Sequence, residues 1–472
     1  MHQMNAAERE QRLSGRWWLP TQPNRRRPGI LVFSDVEESR LEIDGSLAPS
    51  PSFGQMPETY EIVLGKADGR IFTLYQCMTE SATVADDREA HHVLSFDAAF
   101  EGARLASSSD LTFDRAVIQI DPLHDWAKWS TASGRISRNN DIEDGRIVQI
   151  NVTYQPRDEL RATTDQWEIL LSERYSISQQ MGRVELNTDH SLHVRLASPI
   201  PFNDWHTRIL RPLQNFASLV SDQGARITGL VLLNSSRREG PRERRQPVPI
   251  RVRSHFIQHV EDERRHLVPR DFLVGLDEIA GRFQDVMHEW FRVSEDFRDA
   301  CNLIFAPRYA DNLYLESSFL MMAQGLEVFH RTKYSTATMI PQDEYTGLYE
   351  KLLAETPKRR RWLIEPRLKR GNEPFFKRRL VDLIEFAGDG FTDLAGTPDT
   401  WAGRVKDARN DLTHWSADRS GVEPGTDTFF QLLREATLLT KAVLLREIGF
   451  STSECARLLS QNRVYRFMRG WN

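Results

Sequence analysis

Residues 401–415 read WAGRVKDARNDLTHW, and this stretch decides how the C-terminal half of the chain folds. Its apolar side chains recur at spacings of four and three, at Trp401, Val405, Ala408, Leu412 and Trp415. This spacing predicts a helix with one apolar stripe, because residues three and four apart share a helical face. Asn410 and His414 lie opposite the stripe, and Arg409 lies beside them. The helix would bury one side and present three polar side chains on the other.

Two further segments have the same helical spacing. One stripe runs through Leu315, Phe319, Met322, Leu326 and Phe329, and another through Phe429, Leu432, Leu433, Ala436, Leu439 and Val443. Amphipathic helices in one domain bury their apolar stripes against each other. We therefore predict an all-α helical bundle over residues 296–472.

Residues 1–235 have a different pattern, in which short apolar or alternating runs are separated by turn formers. The clearest runs lie at 29–33, 41–43, 61–64, 70–75 and 146–150. Asp44-Gly45 and Asp68-Gly69 are typical turn signals between strands. We predict a β-rich sandwich or barrel-like domain here, with a helical segment at 210–220, so that the fold class of the whole chain is α+β.

The stretch 235–248, SSRREGPRERRQPV, is polar and rich in Arg and Pro. Such composition favours an exposed loop or a domain junction. Residues 236–295 are therefore predicted to form a linker and a connecting helical segment between the two domains.

The bulk composition limits the function classes. With a net charge of −5 and a pI near 6.3, the chain is no polycation, and nucleic acid would have to bind a local patch. The three cysteines lie far apart without a CxxC pair, which favours a reducing cytoplasm. The N-terminus lacks an apolar signal segment, and no apolar run is long enough to span a membrane. We expect a cytoplasmic protein with no membrane partner.

Arg409, Asn410 and His414 suit RNA cleavage by the sugar's own 2′-hydroxyl. A His can accept or supply a proton near neutral pH, and an Arg fork can hold the scissile phosphate. Asn can orient either of them. One His cannot easily act as base and acid in a single step, so the pattern favours two copies of the helix that share a site across a two-fold axis. This chemistry needs no metal and no cofactor.

The spacing from Arg409 to His414 is a weak signal by itself. Comparable pairs occur at Arg183 with His190, Arg253 with His259 and Arg282 with His288. Of these four arginines only Arg409 is followed by Asn, and only the pair of Arg409 with His414 also borders a regular helical stripe. A solvated helix face without chemistry is the alternative on spacing alone.

The resemblance to a known family adds to this interpretation. Residues 406–415, KDARNDLTHW, resemble the RN-x-x-x-H signature of HEPN ribonucleases, and 319–330, FLMMAQGLEVFH, is similar to a helix of the ApeA-like anti-phage HEPN proteins. Their N-terminal domain also has segments similar to 15–20, GRWWLP, and 28–31, PGIL. The resemblance implies a HEPN bundle, a homodimer, RNA cleavage in abortive infection, and a phage-derived trigger at the N-terminal domain. It implies that Arg409 and His414 are catalytic with Asn410 as companion, and it assigns no role to Glu327.

A basic stretch is a second candidate site. It contains ten basic residues against two acidic ones: Lys358, Arg359, Arg360, Arg361, Arg367, Lys369, Arg370, Lys377, Arg378 and Arg379. Trp362, Phe375 and Phe376 are interleaved with them, and basic groups among aromatics can grip an RNA backbone and stack on bases. The alternatives are a solvated helix face and aromatic core residues.

Other motifs are weaker. His255 and His259 are four apart, but the zincin pattern needs Glu where Phe256 stands, so we expect no metal site. Trp17 and Trp18 fit the core of the β domain better than a ligand platform. Two functions remain: a metal-independent endoribonuclease, or a non-catalytic HEPN protein that dimerises or binds RNA while its β domain senses a partner.

Overall fold

The structure is a computed structural model of the chain. It describes residues 10–34, 38–47, 58–85, 88–127, 132–138, 147–155, 158–180, 183–239, 246–257, 266–310, 312–414, 426–468 and 470. The chain divides into two compact units. The first comprises Met1–Ala217 and Ala225–Val268, and the second comprises Ser218–Gly224 and Pro269–Asn472.

The first unit is built mainly from β-strands. In chain order they are β1 Glu10–Trp18, β2 Arg27–Ser34, β3 Arg40–Asp44, β4 Thr59–Ala67, β5 Arg70–Ala85, β6 Arg88–Glu101, β7 Thr112–Ile120, β8 Ala132–Arg138, β9 Ile147–Tyr154, β10 Leu160–Thr163, β11 Trp167–Gln180, β12 Arg183–Pro201, β13 Ile227–Leu233, β14 Arg238–Glu239, β15 Gln246–Pro247 and β16 Ile250–Ser254. Its helices are α1 Asp121–Ala127 and α2 Phe202–Trp205; α3 Arg211–Ser221 begins in this unit, as the helical spacing at 210–220 predicts.

Twelve of the described strands form one antiparallel sheet, in the order β10-β11-β12-β7-β13-β16-β6-β3-β2-β1-β4-β5. An additional pairing of β5 with β6 closes the last six strands into a ring. Closure satisfies the backbone groups that two edge strands would otherwise leave open. The β-rich, barrel-like N-terminal fold predicted from the sequence is thereby confirmed.

The ring encloses an apolar core. Alternate residues of its strands point inward, and Trp17, Leu31, Leu41 and Phe72 are fully buried there. Gly65 is required at its position, since a Cβ would lie 2.1 Å from the Trp17 ring. Trp17 and Trp18 are thus core residues, as the sequence pattern indicates.

Two local features follow from particular residues. Asp68 and Gly69 have φ of 45° and 78°, the left-handed pair that a tight hairpin turn needs, and they join β4 to β5. In the Arg-rich stretch, the short strands β14 and β15 pair with each other. After them, β16, Ile250–Ser254, pairs with β6 of the large sheet and buries Ile250 and Val252. Sheet structure therefore extends beyond residue 235, into the segment that the sequence suggested as a linker.

The second unit is helical. Its helices are α4 Leu276–Ala280, α5 Phe283–Asp296, α6 Arg298–Tyr309, α7 Leu315–Lys333, α8 Gln342–Glu355, α9 Arg361–Lys369, α10 Phe376–Ala387, α11 Asp389–Ala395, α12 Pro398–His414, α13 Asp427–Glu447, α14 Thr452–Gln461 and α15 Arg463–Met468. A 3-10 turn, Lys358–Arg360, precedes α9. In the described part of the chain, no helix combines the length and the hydropathy that a bilayer crossing needs.

The bundle centres on α7, α10, α12 and α13, which pack against one another. The predicted stripes are its core: Phe319, Leu326 and Phe329 of α7 and Phe429 and Leu439 of α13 are fully buried. The helix α13 is buried on nearly every side, as its apolar sequence LLTKAVLL requires. The C-terminal helical bundle is confirmed.

Candidate active site on helix α12

The helix α12 is fixed in rotation by its apolar stripe and by one buried hydrogen bond. Trp401, Val405 and Ala408 are buried in the bundle. The indole Nε1–H of Trp401 donates to a carboxylate oxygen of Glu435 on α13, over 2.8 Å. Burial raises the pKa of Glu435, so this carboxylate depends on its hydrogen-bond donors. A helix held in this way presents its polar face in a constant direction.

Arg409 lies between two other helices of the bundle. Its Nη2 donates to Oε2 of Glu327 on α7, over 3.4 Å, and its guanidinium carbon lies 5.2 Å from the centroid of the Phe376 ring on α10. A carboxylate and an aromatic face both attract a guanidinium. The side chain is still 35% exposed, so a phosphate has access to it.

Asn410 and His414 follow Arg409 on the same helix. Asn410 is half-buried. His414 is the last residue of α12, and its side chain, like the whole of Trp415, lies outside the described residues. The hydroxyl of Thr413 donates to the carbonyl of Arg409, over 2.9 Å, which stabilises the last turn.

Glu327 connects Arg409 to a row of charged side chains. Its Oε1 accepts a hydrogen bond from Arg331 one turn later on α7, over 3.1 Å. Arg331 also lies 3.9 Å from Glu373, which in turn pairs with Arg379 over 3.4 Å. The carboxylate that orients Arg409 is therefore itself held by a second arginine.

The row ends at His330, which is fully buried on α7. Its Nδ1 lies 3.2 Å from a guanidinium nitrogen of Arg379, and its Nε2 lies 2.9 Å from a carboxylate oxygen of Asp382. Since a guanidinium can only donate, Nδ1 is the acceptor, and Nε2 carries the proton that is donated to Asp382. Burial lowers the pKa of His330 despite the attraction of Asp382, so the ring is neutral near pH 7.

Family comparisons agree with this architecture. Residues 12–290 match the model of ApeA N-terminal domain 1, and residues 320–454 match that of the Apea-like HEPN domain. The chain belongs to the ApeA-like HEPN family. The second match includes α12 with Arg409, Asn410 and His414. A comparison with curated proteins and one with solved structures found no match.

Membership gives a general expectation for this ApeA-like HEPN protein. HEPN domains are generally endoribonucleases and typically dimerise, and the family suggests an RNase or defence role.

The basic residues of this HEPN protein fall into three groups. Lys358–Arg361, Arg367, Lys369 and Arg370 lie on or beside α9, where every basic side chain is exposed or half-buried. Lys377 and Arg378, on α10, pair with Asp399 and Asp382 over 2.7 Å and 2.8 Å. Arg379 is only 4% exposed and binds His330, so it is not available to RNA.

Two residues of the site were not assigned roles from the sequence. Glu327 borders the α7 stripe, and only the packing of α7 against α12 shows that it reaches Arg409. His330 follows Leu326 by four, so the stripe itself places it inward. A polar residue at a buried helix position was the available signal.

The histidine pair considered as metal ligands gives no site in the described residues. His255 lies beside the ring of Phe256, and His259 is outside the described part of the chain. Among the residues that the structure describes, no group of three His, Cys, Asp or Glu side chains is placed to hold a metal ion.

Stability of the helical unit should fall when the pH drops below about 6.5, the ordinary pKa of His. In the unfolded chain His330 binds a proton near that pH, whereas in the folded chain its lowered pKa keeps it neutral. The unfolded state then holds more protons, so acid favours unfolding, by up to about 1.4 kcal/mol per pH unit until the folded pKa is reached.

The measurement is urea unfolding of wild type and His330→Gln at pH values on either side of this range. Gln retains a donor for Asp382 and has no proton to gain, so we expect a smaller loss of stability in acid. His288→Gln is the matched control, because His288 on α5 is 56% exposed. Equal acid sensitivity in wild type and His330→Gln would contradict the assignment.

Proposed function

We propose that this protein is a metal-independent endoribonuclease that acts in anti-phage defence by abortive infection. The observation that supports it best is the placement of Arg409. Glu327 and Phe376 hold its guanidinium, and Asn410 and His414 follow it on α12, in the segment that matches the HEPN domain. The proposed catalytic residues are Arg409, Asn410 and His414.

Each of these three side chains has a separate role in RNA cleavage. The 2′-oxygen of a ribose attacks the adjacent phosphorus, and the bond from phosphorus to the 5′-oxygen breaks. One imidazole accepts the proton of the 2′-hydroxyl, and another supplies a proton to the leaving 5′-oxygen. Arg409 binds the phosphate oxygens as their charge increases, and Asn410 orients the phosphate or the imidazole. The products end in a 2′,3′-cyclic phosphate and a 5′-hydroxyl.

The need for both a base and an acid favours a homodimer. Each chain has one His414, so a site formed from two α12 helices across a two-fold axis contains two imidazoles and two guanidiniums. The dimer would assemble through the HEPN domain, as HEPN domains typically do.

Regulation is assigned to the N-terminal part of the chain. A toxic nuclease that is always active would kill its host, so its activity must be repressed until infection. We propose that residues 1–235 sense a phage-derived trigger and that 296–472 form the nuclease domain. Of the connecting segment 236–295, β16 extends the sheet of the first unit and α4 and α5 extend the helical unit. The exposed basic residues at 358–370 would bind RNA, together with Lys377 and Arg378 where the substrate displaces their carboxylate partners. The setting is the cytoplasm, where phage RNA and host RNA are accessible.

The decisive experiment incubates the purified full chain with total RNA in EDTA and identifies the new RNA ends. Cleavage that leaves 2′,3′-cyclic phosphates supports the proposal, provided that His414→Ala, purified in parallel, gives none. The same pair is expressed in cells under phage infection, so that an enzyme that needs its trigger is also tested. Growth arrest and RNA breakage by wild type only are expected there.

The same data test the alternative function. RNA binding without cleavage, in vitro and in infected cells, would show a non-catalytic HEPN protein. Cleavage that stops in EDTA and returns with Mg²⁺ would refute the metal-independent mechanism.

A further inference from the structure

Residues 342–370 form an arm that adds nothing to the core of the bundle. It consists of α8, the 3-10 turn and α9, and none of the residues in these three elements is buried. Its two ends are tied together at the base, where Asn372 exchanges hydrogen bonds of 3.0 and 3.1 Å with the backbone of Ile340. The hydroxyl of Tyr345 on α8 donates to the carbonyl of Leu368 on α9. Residues 342–370 thus form an arm whose two ends are joined by hydrogen bonds and whose helices are exposed to solvent.

Trp362 is the most exposed of the large apolar side chains on this arm, where Leu348, Leu352 and Leu363 are also 41–45% exposed. It stands in the first turn of α9 and is 74% exposed, while Trp290 and Trp401, the other tryptophans among the described residues of the helical unit, are fully buried. Exposure of one aromatic ring is not unusual by itself, but an exposed ring beside exposed basic groups is the combination that base stacking with phosphate contact requires. At about 100° per residue, Lys369 and Arg370 lie within roughly 80° of Trp362 around the helix axis.

The charge of the arm restricts what binds there. The second half of the arm, residues 357–371, contains seven basic residues and one acidic residue, Glu365, whereas α8 contains four acidic residues and one basic residue. Lys358, Arg359 and Arg360 are all exposed in the turn directly before Trp362. A two-fold contact that places α9 of a second copy against α9 of the first would bring two positive patches together, which is repulsive. The charge of α9 and of the turn before it therefore favours an anion with a surface on which an indole can stack.

We propose that the α8–α9 arm binds single-stranded RNA, with the indole of Trp362 stacked on one unpaired base. The basic residues before and after it contact the phosphates on either side of that base. In a duplex each base is already stacked between its neighbours and offers no free face. The arm would thus direct the nuclease to unpaired loops and ends. This inference rests on the proposed function, because it takes RNA as the substrate of the same helical unit.

Binding measurements test the arm without any catalytic step. The probes are a short single-stranded RNA with 2′-O-methyl groups, which cannot attack its own phosphate, and the same strand in a duplex. For the full chain with Trp362→Ala we expect single-strand affinity to fall by roughly 5- to 150-fold, and duplex affinity to stay unchanged. Trp362→Phe, which keeps an aromatic face, should recover most of the loss.

Two further variants separate stacking from charge and from general damage. Arg359→Gln combined with Arg360→Gln should weaken both probes and reduce the salt dependence of binding. Tyr314→Ala is the matched control, since Tyr314 is an aromatic residue of the same unit that is 79% exposed and lies outside the arm; it should change neither affinity.

Several outcomes would overturn the inference. Equal single-strand affinities of wild type and Trp362→Ala would exclude stacking, even if the chain cleaves RNA. Equal losses for single strand and duplex would exclude selectivity for unpaired bases. If Trp362→Ala instead lost binding to vesicles of phosphatidylglycerol and phosphatidylcholine while RNA affinity stayed intact, the arm would be a membrane contact. Because the probes are not cleaved, failure of nuclease activity leaves the binding result interpretable.

Discussion

Replacement of Arg409 with Ala is expected to lower kcat/KM for RNA cleavage by about 10²–10³-fold, the usual effect of losing one positioned group that stabilises transition-state charge. The structure gives the physical reason. The guanidinium is held by Glu327 at 3.4 Å and by the Phe376 ring, so little reorganisation is needed when the phosphate gains charge. Arg409→Lys keeps the charge and loses the planar fork, and we expect at least a roughly 10-fold loss.

The chain offers a close control for this experiment. Arg404 lies on the same helix and is 34% exposed, against 35% for Arg409, but it faces Glu435 at 3.9 Å rather than Glu327. Arg404→Ala should therefore retain cleavage near the wild-type rate. Rates are measured on a defined RNA under single-turnover conditions, with and without EDTA. Activity of Arg409→Ala within about threefold of wild type would remove Arg409 from the mechanism.

The helices could be predicted because their signal is local. The stripes of α7, α12 and α13 recur within one segment each, and burial of Phe319, Val405 and Leu439 follows from spacing alone. The hairpin at Asp68-Gly69 is equally local. The sequence does not decide between a sandwich and a barrel, because the pairing of β5 with β6 that closes the ring is not specified by any short pattern.

The candidate site was predictable only in part, for the same reason. The sequence places Arg409, Asn410 and His414 on one helix, but Glu327 is distant in the sequence and reaches Arg409 only through packing of α7 on α12. The ten basic residues at 358–379 are likewise not equivalent, although a count of charges treats them alike. The helical period of α10 turns Arg379 inward with Phe376 and Leu380.

A buried ion cluster in the helical unit was also invisible in the sequence. Asp222, from the short segment Ser218–Gly224, pairs with the ammonium of Lys441 in the middle of α13. Arg308 lies 3.5 Å from the same carboxylate, and Asn462 donates to it over 2.7 Å. Burial alone would raise the pKa of Asp222, but Lys441 and Arg308 hold that pKa below its ordinary value. The carboxylate is therefore ionised at neutral pH.

Asp222→Ala is expected to destabilise the helical unit by about 3–5 kcal/mol, since it leaves a buried ammonium without its counter-charge. Lys441 is only 3% exposed, so water cannot replace the lost partner. Removing both charges, in Asp222→Ala with Lys441→Met, should recover much of the loss. Asp296→Ala is the control, because its pair with Arg292 is on the surface and contributes at most about 1 kcal/mol.

The measurement is urea unfolding of the full chain, with hydrogen–deuterium exchange of α13 peptides as the readout, because a chain of two units need not unfold in one step. A loss below about 1 kcal/mol in Asp222→Ala would show that the cluster is not a buried, mutually dependent set. A double variant no more stable than Asp222→Ala would show that the loss comes from the bond to Asn462 or from Ala at the left-handed φ of 57° at residue 222, rather than from Lys441. The expected result ties Ser218–Gly224 to α13, whose Glu435 holds Trp401 of α12. Two buried polar contacts, Asp222 with Lys441 and Glu435 with Trp401, thus connect that short segment through α13 to the helix that carries Arg409.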